Sequence, residues 1–140
     1  MFDLFGTQRL NAWKQFRTEI ENSETPLEDV AEFWSHAPFV SPYLDPGNPT
    51  IWPDPWHLIL DAKYDDLAIP LGMLYTLKLT QRFMGSKFEI HMSIPDNKDK
   101  QYMLIVDDKQ VLNFEYKAVI DIEKLKNIQT TLIWSSLNSL

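Results

Sequence analysis

The sequence predicts an α+β fold, in which helices come first and an antiparallel sheet follows. Apolar residues recur at helical spacing as far as Met84, and they alternate with polar residues after Gly85. A chain of 140 residues with 44% hydrophobic and 24% charged residues also has the size and composition of one globular domain, here residues 1–140. We therefore expect N-terminal helices and a central buried helix packed on a sheet of three to four antiparallel strands.

The first 37 residues predict two helices. Steps of three, three and four separate the large apolar residues of one helical face, which are Leu10, Trp13, Phe16 and Ile20. Thr25 then offers an N-cap and Pro26 a first helical residue, so a second, shorter helix is expected to begin there. Pro38 ends that helix, and His36 at its end complements the helix dipole.

Residues 38–57 predict an ordered loop. Six of the nine prolines lie between Pro38 and Pro55, which disfavours a regular helix or a central strand. Large aromatic residues are interleaved with these prolines, namely Phe39, Tyr43, Trp52 and Trp56. Their apolar area favours burial, so the loop is expected to wrap the core. A Pro-rich ligand for a groove-binding module is the alternative interpretation.

Residues 58–84 predict the central helix. This is the most apolar part of the chain, and its apolar residues lie on several helical faces, as in a buried helix. Asp65 and Asp66 complement the helix dipole if they lie near its N-terminus. Pro70 is tolerated only in a first turn or at a kink, which moves the expected start toward Asp66.

Residues 85–140 predict antiparallel strands and a C-terminal segment. Alternation favours a strand at 88–94, a polar turn at 95–100 and a second strand at 102–106. The pair Asp107 and Asp108 is expected in a hairpin turn before a third strand at 111–116. One or two helical turns at 121–126 and a candidate fourth strand at 130–134 complete the pattern.

Charge and composition disfavour several function classes. The net charge of −7 and the pI near 4.8 leave no basic stripe for phosphates, so nucleic acids and anionic membranes are poor partners. Cys is absent, which excludes disulfides, thiolate metal sites and a catalytic thiol. No Gly-rich phosphate loop is present, and we expect no cofactor. Neither a secretory signal nor a membrane-length apolar run is visible, so a cytoplasmic location is expected.

Residues 62–68 read Ala-Lys-Tyr-Asp-Asp-Leu-Ala and resemble the Gly-x-Cys-x-Asp-x-Ala phrase that opens the central helix of transglutaminase-like, papain-related domains. Tyr64 stands at the position of the family's nucleophilic Cys. Gln101 and Tyr102 stand nearest to its His, and Asn113 stands nearest to its Asp. The preceding residues 52–59 resemble the aromatic loop that leads into that helix. The resemblance, over residues 52–116, implies the fold of this family without its Cys-His-Asp residues.

The whole chain also resembles small proteins of T4-like marine phages, around residues 52–56 and 65–68. The two resemblances imply a non-catalytic domain that contacts a protein partner or itself, in the cytoplasm of an infected host cell or in a virion. A phenol with a pKa near 10 is a poor substitute for a thiolate. The candidate residues of such a degenerate cleft are Trp56, His57, Tyr64, Asp65, Asp66, Tyr102 and Asn113.

An enzyme or a divalent-metal protein is the alternative function. The candidate metal ligands are Asp61, Asp65, Asp66 and His57, which fall within ten residues of one another. Helix-terminal acids and a loop His are the competing interpretation, because no ligand-spacing motif is present. His91 could serve as the partner of Asp65 or Asp66, or could pair with Glu89 beside Ser93 on the polar side of its strand.

Self-association is a third interpretation. The edge of the strand at 130–134 or the aromatic residues of the proline-rich loop would supply the interface. Asp45 and Asp54 are expected to make turn hydrogen bonds beside proline, without a functional role.

Overall fold

The computed structural model describes residues 1–40, 42–61, 63–94 and 100–136. Within these ranges the α-helices are α1 (Gly6–Glu21), α2 (Pro26–Trp34), α3 (Pro55–Asp61) and α4 (Ala68–Lys78). Short 3-10 helices lie at Pro49–Ile51 and Ile122–Leu125. The strands are β1 (Phe88–Ser93), β2 (Gln101–Val106), β3 (Gln110–Leu112), β4 (Val119–Asp121) and β5 (Thr131–Ser135). No helix in the described ranges is long and apolar enough to cross a bilayer.

The strands form one antiparallel sheet in the order β4-β3-β2-β1-β5, which confirms the predicted α+β class. β1 and β2 pair from Phe88 opposite Val106 to Ser93 opposite Gln101. β5 returns along the other side of β1, where an irregularity between Ile90 and His91 shifts the register. β5 and β4 are therefore the two edges of the sheet.

The predicted number of three to four strands is wrong, because the described residues form five. The strand that was missed is β4, whose three residues are too few to show an alternating pattern. The strand predicted at 111–116 ends at Leu112, because Asn113 turns the chain with a φ of +69°. The candidate strand at 130–134 is confirmed as β5, and the helical turn expected at 121–126 is confirmed as a 3-10 helix.

Of the two expected hairpin turns, one is described. Asp107 and Asp108 both have a φ of 55°, and the Lys109 N–H donates to the Val106 carbonyl at 3.0 Å. This is the left-handed turn geometry that suits the twist of a hairpin, and it confirms the turn between β2 and β3. Residues 95–99 of the polar turn expected at 95–100 lie outside the described residues.

The prediction of one continuous central helix at 58–84 is wrong. Two helices, α3 and α4, occupy this part of the chain, and α4 ends at Lys78. α3 begins at Pro55, since proline suits a first helical turn, so the loop predicted to reach residue 57 ends earlier. Before α4, the Asp65 carboxylate accepts bonds from the N–H groups of Leu67 and Ala68. Pro70 lies in the first turn of α4, as expected.

Two clusters of buried residues lie on opposite faces of the sheet. The main core lies between the helices and one face, to which β1 and β2 contribute Phe88, Ile90, Tyr102, Leu104 and Val106. The second cluster lies on the other face and consists of Met103, Ile105, Val111, Ile120 and Leu125, the last of which belongs to the 3-10 helix. Because β2 is buried on both faces, its sequence is apolar without alternation.

Thr76 joins three helices inside the main core. Its hydroxyl accepts hydrogen bonds from the indole N–H groups of Trp13 in α1 and Trp34 in α2, both at 3.0 Å, and donates to the Gly72 carbonyl at 2.7 Å. The Trp34 ring also lies close to the α4 backbone, because a Cβ at residue 72 would lie 2.3 Å from that ring. The packing of α1 and α2 on α4 thus depends on the Thr76 hydroxyl and on the absence of a side chain at Gly72.

Thr76→Val is expected to lower the free energy of unfolding by about 2–5 kcal/mol, because two buried indole N–H groups lose their acceptor. Thr76→Ser keeps the hydroxyl and loses a methyl group, so a loss of about 1 kcal/mol is expected. Urea unfolding followed by tryptophan fluorescence measures both values. Equal losses in the two variants would contradict the role assigned to the hydroxyl.

Candidate functional site

A cleft opens between the proline-rich loop that joins α2 to α3 (residues 35–54, the Pro loop), the start of α4 and the start of β2. We call it the loop cleft, and its volume is about 620 Å³. The side chains that decide its chemistry are Phe39, Leu44, Asp65, Asp66, Lys100 and Tyr102. The structure therefore brings three of the predicted site residues, Asp65, Asp66 and Tyr102, to one cavity.

Asp65 fastens the Pro loop to α4. One oxygen of its buried carboxylate accepts hydrogen bonds from the N–H groups of Tyr43 and Leu44 at 2.8 and 2.9 Å. The other oxygen accepts from the N–H groups of Leu67 and Ala68 at 3.2 and 2.8 Å. These donors fill the roughly four acceptor positions of a carboxylate, which leaves little capacity for a metal ion or for a substrate proton.

Tyr64 stands where the family resemblance expects a nucleophile, and its ring is fully buried. Phe2 and Trp34 pack edge-on against the ring, with centroid distances of 5.5 and 5.4 Å. The hydroxyl donates to the Ile59 carbonyl at 3.3 Å, and burial raises the pKa of Tyr64 to about 12. The phenol is therefore neutral near pH 7, and its surroundings leave no room for a substrate.

Arg9 is a buried cation beside Tyr64 that no motif predicted. Its guanidinium donates to the carbonyls of Ile59 at 3.2 Å and Phe2 at 3.4 Å. Ile59 lies in the second half of α3, where the carbonyl end of the helix attracts positive charge. The signal in the sequence is the position of Arg9 one turn before Trp13, on the buried face of α1.

Tyr102 and Asn113, the positions nearest to the family's His and Asp, supply no general base. Burial raises the pKa of Tyr102, and the negative charge of Asp66 adds to that shift. The Asn113 amide donates to the Tyr102 carbonyl at 2.8 Å, so it holds backbone in place. The Gln101 amide likewise donates to the Phe114 carbonyl.

His57 lies outside the loop cleft. It lines a separate cavity of about 360 Å³ together with Asp61 and Trp52. Its Nδ1 lies 2.8 Å from an oxygen of Asp54, which confirms that Asp54 makes local turn bonds, and Asp54 also accepts the His57 backbone N–H at 2.8 Å. The side-chain bond to Asp54 raises the pKa of His57, and the bond from the His57 backbone lowers the pKa of Asp54.

Trp56 packs against α1 and does not line the loop cleft. Its ring lies edge-on to Trp13 at 5.6 Å, and the Arg17 guanidinium lies over both rings, 4.4 Å from the Trp13 centroid and 5.5 Å from that of Trp56. Trp56 is still 45% exposed. Trp56 thus forms a contact between α3 and α1 at the surface of the molecule.

His91 lies on the face of the sheet opposite the loop cleft. Its Nε2 is 3.2 Å from a carboxylate oxygen of Glu89, and its Nδ1 is 3.0 Å from the Thr130 hydroxyl. The His91 and Glu89 side chains are 17% and 18% exposed, so this pair is largely shielded from water. Ser93, expected on a polar surface beside them, is buried, so the outer face of β1 is less solvated than the sequence predicts.

The candidate metal ligands do not gather in one place. Asp65 bonds four backbone N–H groups, His57 bonds Asp54, and Asp61 lies at the end of α3. Among the residues that the structure describes, no three His, Cys, Asp or Glu side chains form a group that could hold a metal ion.

Comparisons with known proteins identify no relative. No family model, no curated protein and no solved structure matches the chain. Its function therefore has to be inferred from the geometry of its own residues.

Asp65→Asn is expected to lower the free energy of unfolding by about 2–4 kcal/mol, because the new amide presents N–H donors to backbone N–H donors. Asp61→Asn, at an exposed position on α3, removes the same charge and is expected to change stability by less than about 0.5 kcal/mol. Urea unfolding measures both. Limited proteolysis should also cut the Pro loop faster in Asp65→Asn alone, and an unchanged rate of cleavage would contradict the fastening role of Asp65.

The imidazole of His57 is expected to titrate above its ordinary pKa of 6.5, because Asp54 favours the protonated form. Proton NMR of the ring measures this value, and Asp54→Asn should return it toward 6.5. The pair contributes stability below the unfolded-state pKa, and this contribution is lost as the pH rises through the raised folded-state pKa. The contribution is small because the pair is exposed. An unchanged titration in Asp54→Asn would contradict the assigned cause.

Proposed function

We propose that the chain is a non-catalytic protein-interaction domain of phage origin, built on a degenerate transglutaminase-like fold. The observation that carries this proposal is the closure of the segment before α4. There Tyr64 is fully buried and Asp65 is saturated by backbone N–H groups. A family enzyme would need a reactive, accessible nucleophile at this place.

The chemistry of the loop cleft supports the same proposal. Acyl transfer through a covalent intermediate needs a nucleophile and a neighbouring base. The chain has no Cys, and the pKa of Tyr64 near 12 keeps that phenol protonated. Tyr102 is also a phenol with a raised pKa, and Asn113 and Gln101 are amides that do not titrate near neutral pH.

Exposed aromatic residues of the Pro loop and α3 support an interaction surface. Phe39, Tyr43 and Trp56 are 62%, 42% and 45% exposed. Large aromatic side chains supply much of the binding energy in protein interfaces, and their exposure is costly in a chain without a partner. Phe39 also lines the loop cleft, so a bound segment that enters the cleft would contact its ring.

An enzyme is the second candidate, and one observation favours it. The His91 imidazole lies between the Thr130 hydroxyl at 3.0 Å and the Glu89 carboxylate at 3.2 Å. A hydroxyl, an imidazole and a carboxylate in sequence are the groups of a nucleophilic hydrolase. This arrangement is on the outer face of the sheet, away from the segment that resembles the transglutaminase-like helix.

Activity measurements separate the two candidates. The wild-type protein is expected to release no product above a protein-free control from a glutamine peptide with a primary amine, or from ester and peptide substrates. His91→Ala and Thr130→Val serve as matched variants. Turnover by the wild type that falls at least tenfold in both variants would overturn the non-catalytic proposal and establish the second candidate.

A further inference from the structure

The helical side of the molecule carries an uneven distribution of charge. Between Arg17 and Lys63 the chain contains no Lys or Arg, while acidic residues recur along the whole stretch. This stretch forms the end of α1, all of α2, the Pro loop and α3. A surface built from such a stretch attracts positive partners and repels phosphates.

A groove between α1 and α2 lies within this acidic region. We call it the helix groove, and its volume is about 500 Å³. Phe16 and Phe33 contribute a stacked pair of rings, with centroids 3.9 Å apart and planes tilted by 12°. Acidic side chains also line the groove, namely Glu19, Asp29 and Glu32. The groove therefore joins an aromatic surface to negative charge.

Two of these carboxylates are held in place by neighbouring groups. Asp29 accepts hydrogen bonds from the hydroxyls of Ser23 at 2.5 Å and Thr25 at 3.0 Å. Glu32 lies 3.2 Å from His36 Nε2 and 3.5 Å from Lys117 Nζ, and the hydrogen bond from His36 lowers the pKa of Glu32. Both carboxylates are thus held in place by hydrogen-bond or ion-pair partners.

Glu19 completes the negative side of the groove. It is exposed on α1, and its carboxylate makes no hydrogen bond or ion pair within the described part of the chain. A cation in the groove could therefore approach Glu19 without first breaking an existing pair.

We propose that the helix groove binds a basic segment of a partner protein, with the stem of an Arg or Lys side chain on the Phe16–Phe33 pair and its charged head at Glu19 and Glu32. This inference rests on the proposed interaction function. Cations bind favourably at aromatic rings, and long basic side chains cover apolar surface with their stems. The same chain places Arg17 over the ring of Trp13 at 4.4 Å.

The charges of the groove select this occupant. A nucleic acid or an anionic membrane would bring phosphates to a line of carboxylates. A second copy of the chain would bring a net charge of −7 toward the same acidic surface. A basic peptide segment supplies a positive charge for Glu19, which has no partner among the described residues, and apolar stems for the Phe16–Phe33 pair.

The test measures binding of a fluorescein-labelled peptide of alternating Arg and Leu by anisotropy at low and high salt. The wild type is expected to bind, and affinity should fall as salt rises. Glu19→Gln with Glu32→Gln should weaken binding about tenfold at low salt, because two charge contacts are lost. The matched control is Glu24→Gln with Glu28→Gln, which removes the same charge at exposed positions outside the groove and should weaken binding less than about twofold.

The proposal is overturned if the wild type does not bind the peptide, if both double variants weaken binding equally, or if a labelled oligonucleotide binds with equal affinity. Amide NMR shifts locate the peptide, with Glu19 and Phe33 expected to move. Shifts centred on Phe39 and Lys100 instead would overturn the helix groove and leave the interaction function standing. Turnover in the activity measurements, with groove binding intact, would overturn the non-catalytic function alone.

Discussion

One buried carboxylate determines how the Pro loop and α4 are arranged around the loop cleft. Asp65 accepts four backbone N–H bonds, two from the Pro loop and two from the residues that lead into α4. A buried charge is tolerated only when such bonds replace its hydration, so the loop and the helix have to meet there. The same meeting forms the wall of the loop cleft and leaves Tyr64 enclosed behind it. The enclosed position of Tyr64 and the open cleft are therefore two results of one interaction.

Periodicity predicted those parts of the fold in which local pattern and tertiary structure agree. The apolar face of α1, the Pro26 start of α2 and the alternation of β1 are examples. The break between α3 and α4 was predicted only in part, because Pro70 moved the expected helix start toward Asp66 but no pattern indicated that a separate helix, α3, begins at Pro55 and ends at Asp61. α4 begins where the Asp65 carboxylate accepts the N–H groups of Leu67 and Ala68. β4 has only three residues, which are too few to show an alternating pattern in the sequence.

The structure brings only some of the candidate site residues together in one cavity. Asp65, Asp66 and Tyr102 line the loop cleft, but Trp56 and His57 make other contacts, although they are close to Asp65 in the chain. Both residues lie in α3, where successive side chains leave the helix axis about 100° apart, and neither lines the loop cleft. The helix groove was missed because its two Phe rings come from different helices, and only the lack of Lys and Arg between residues 18 and 62 indicated it.

The contact between Gly72 and Trp34 also constrains how this sequence can change over time. The indole occupies the space that any side chain at residue 72 would need, and its N–H is bound to Thr76. A larger residue at 72 is tolerable only after a smaller one replaces Trp34, and that replacement would empty a large volume of the core. The two positions are therefore expected to vary together across homologues or to stay fixed together, which offers a way to recognise distant relatives whose other residues have diverged.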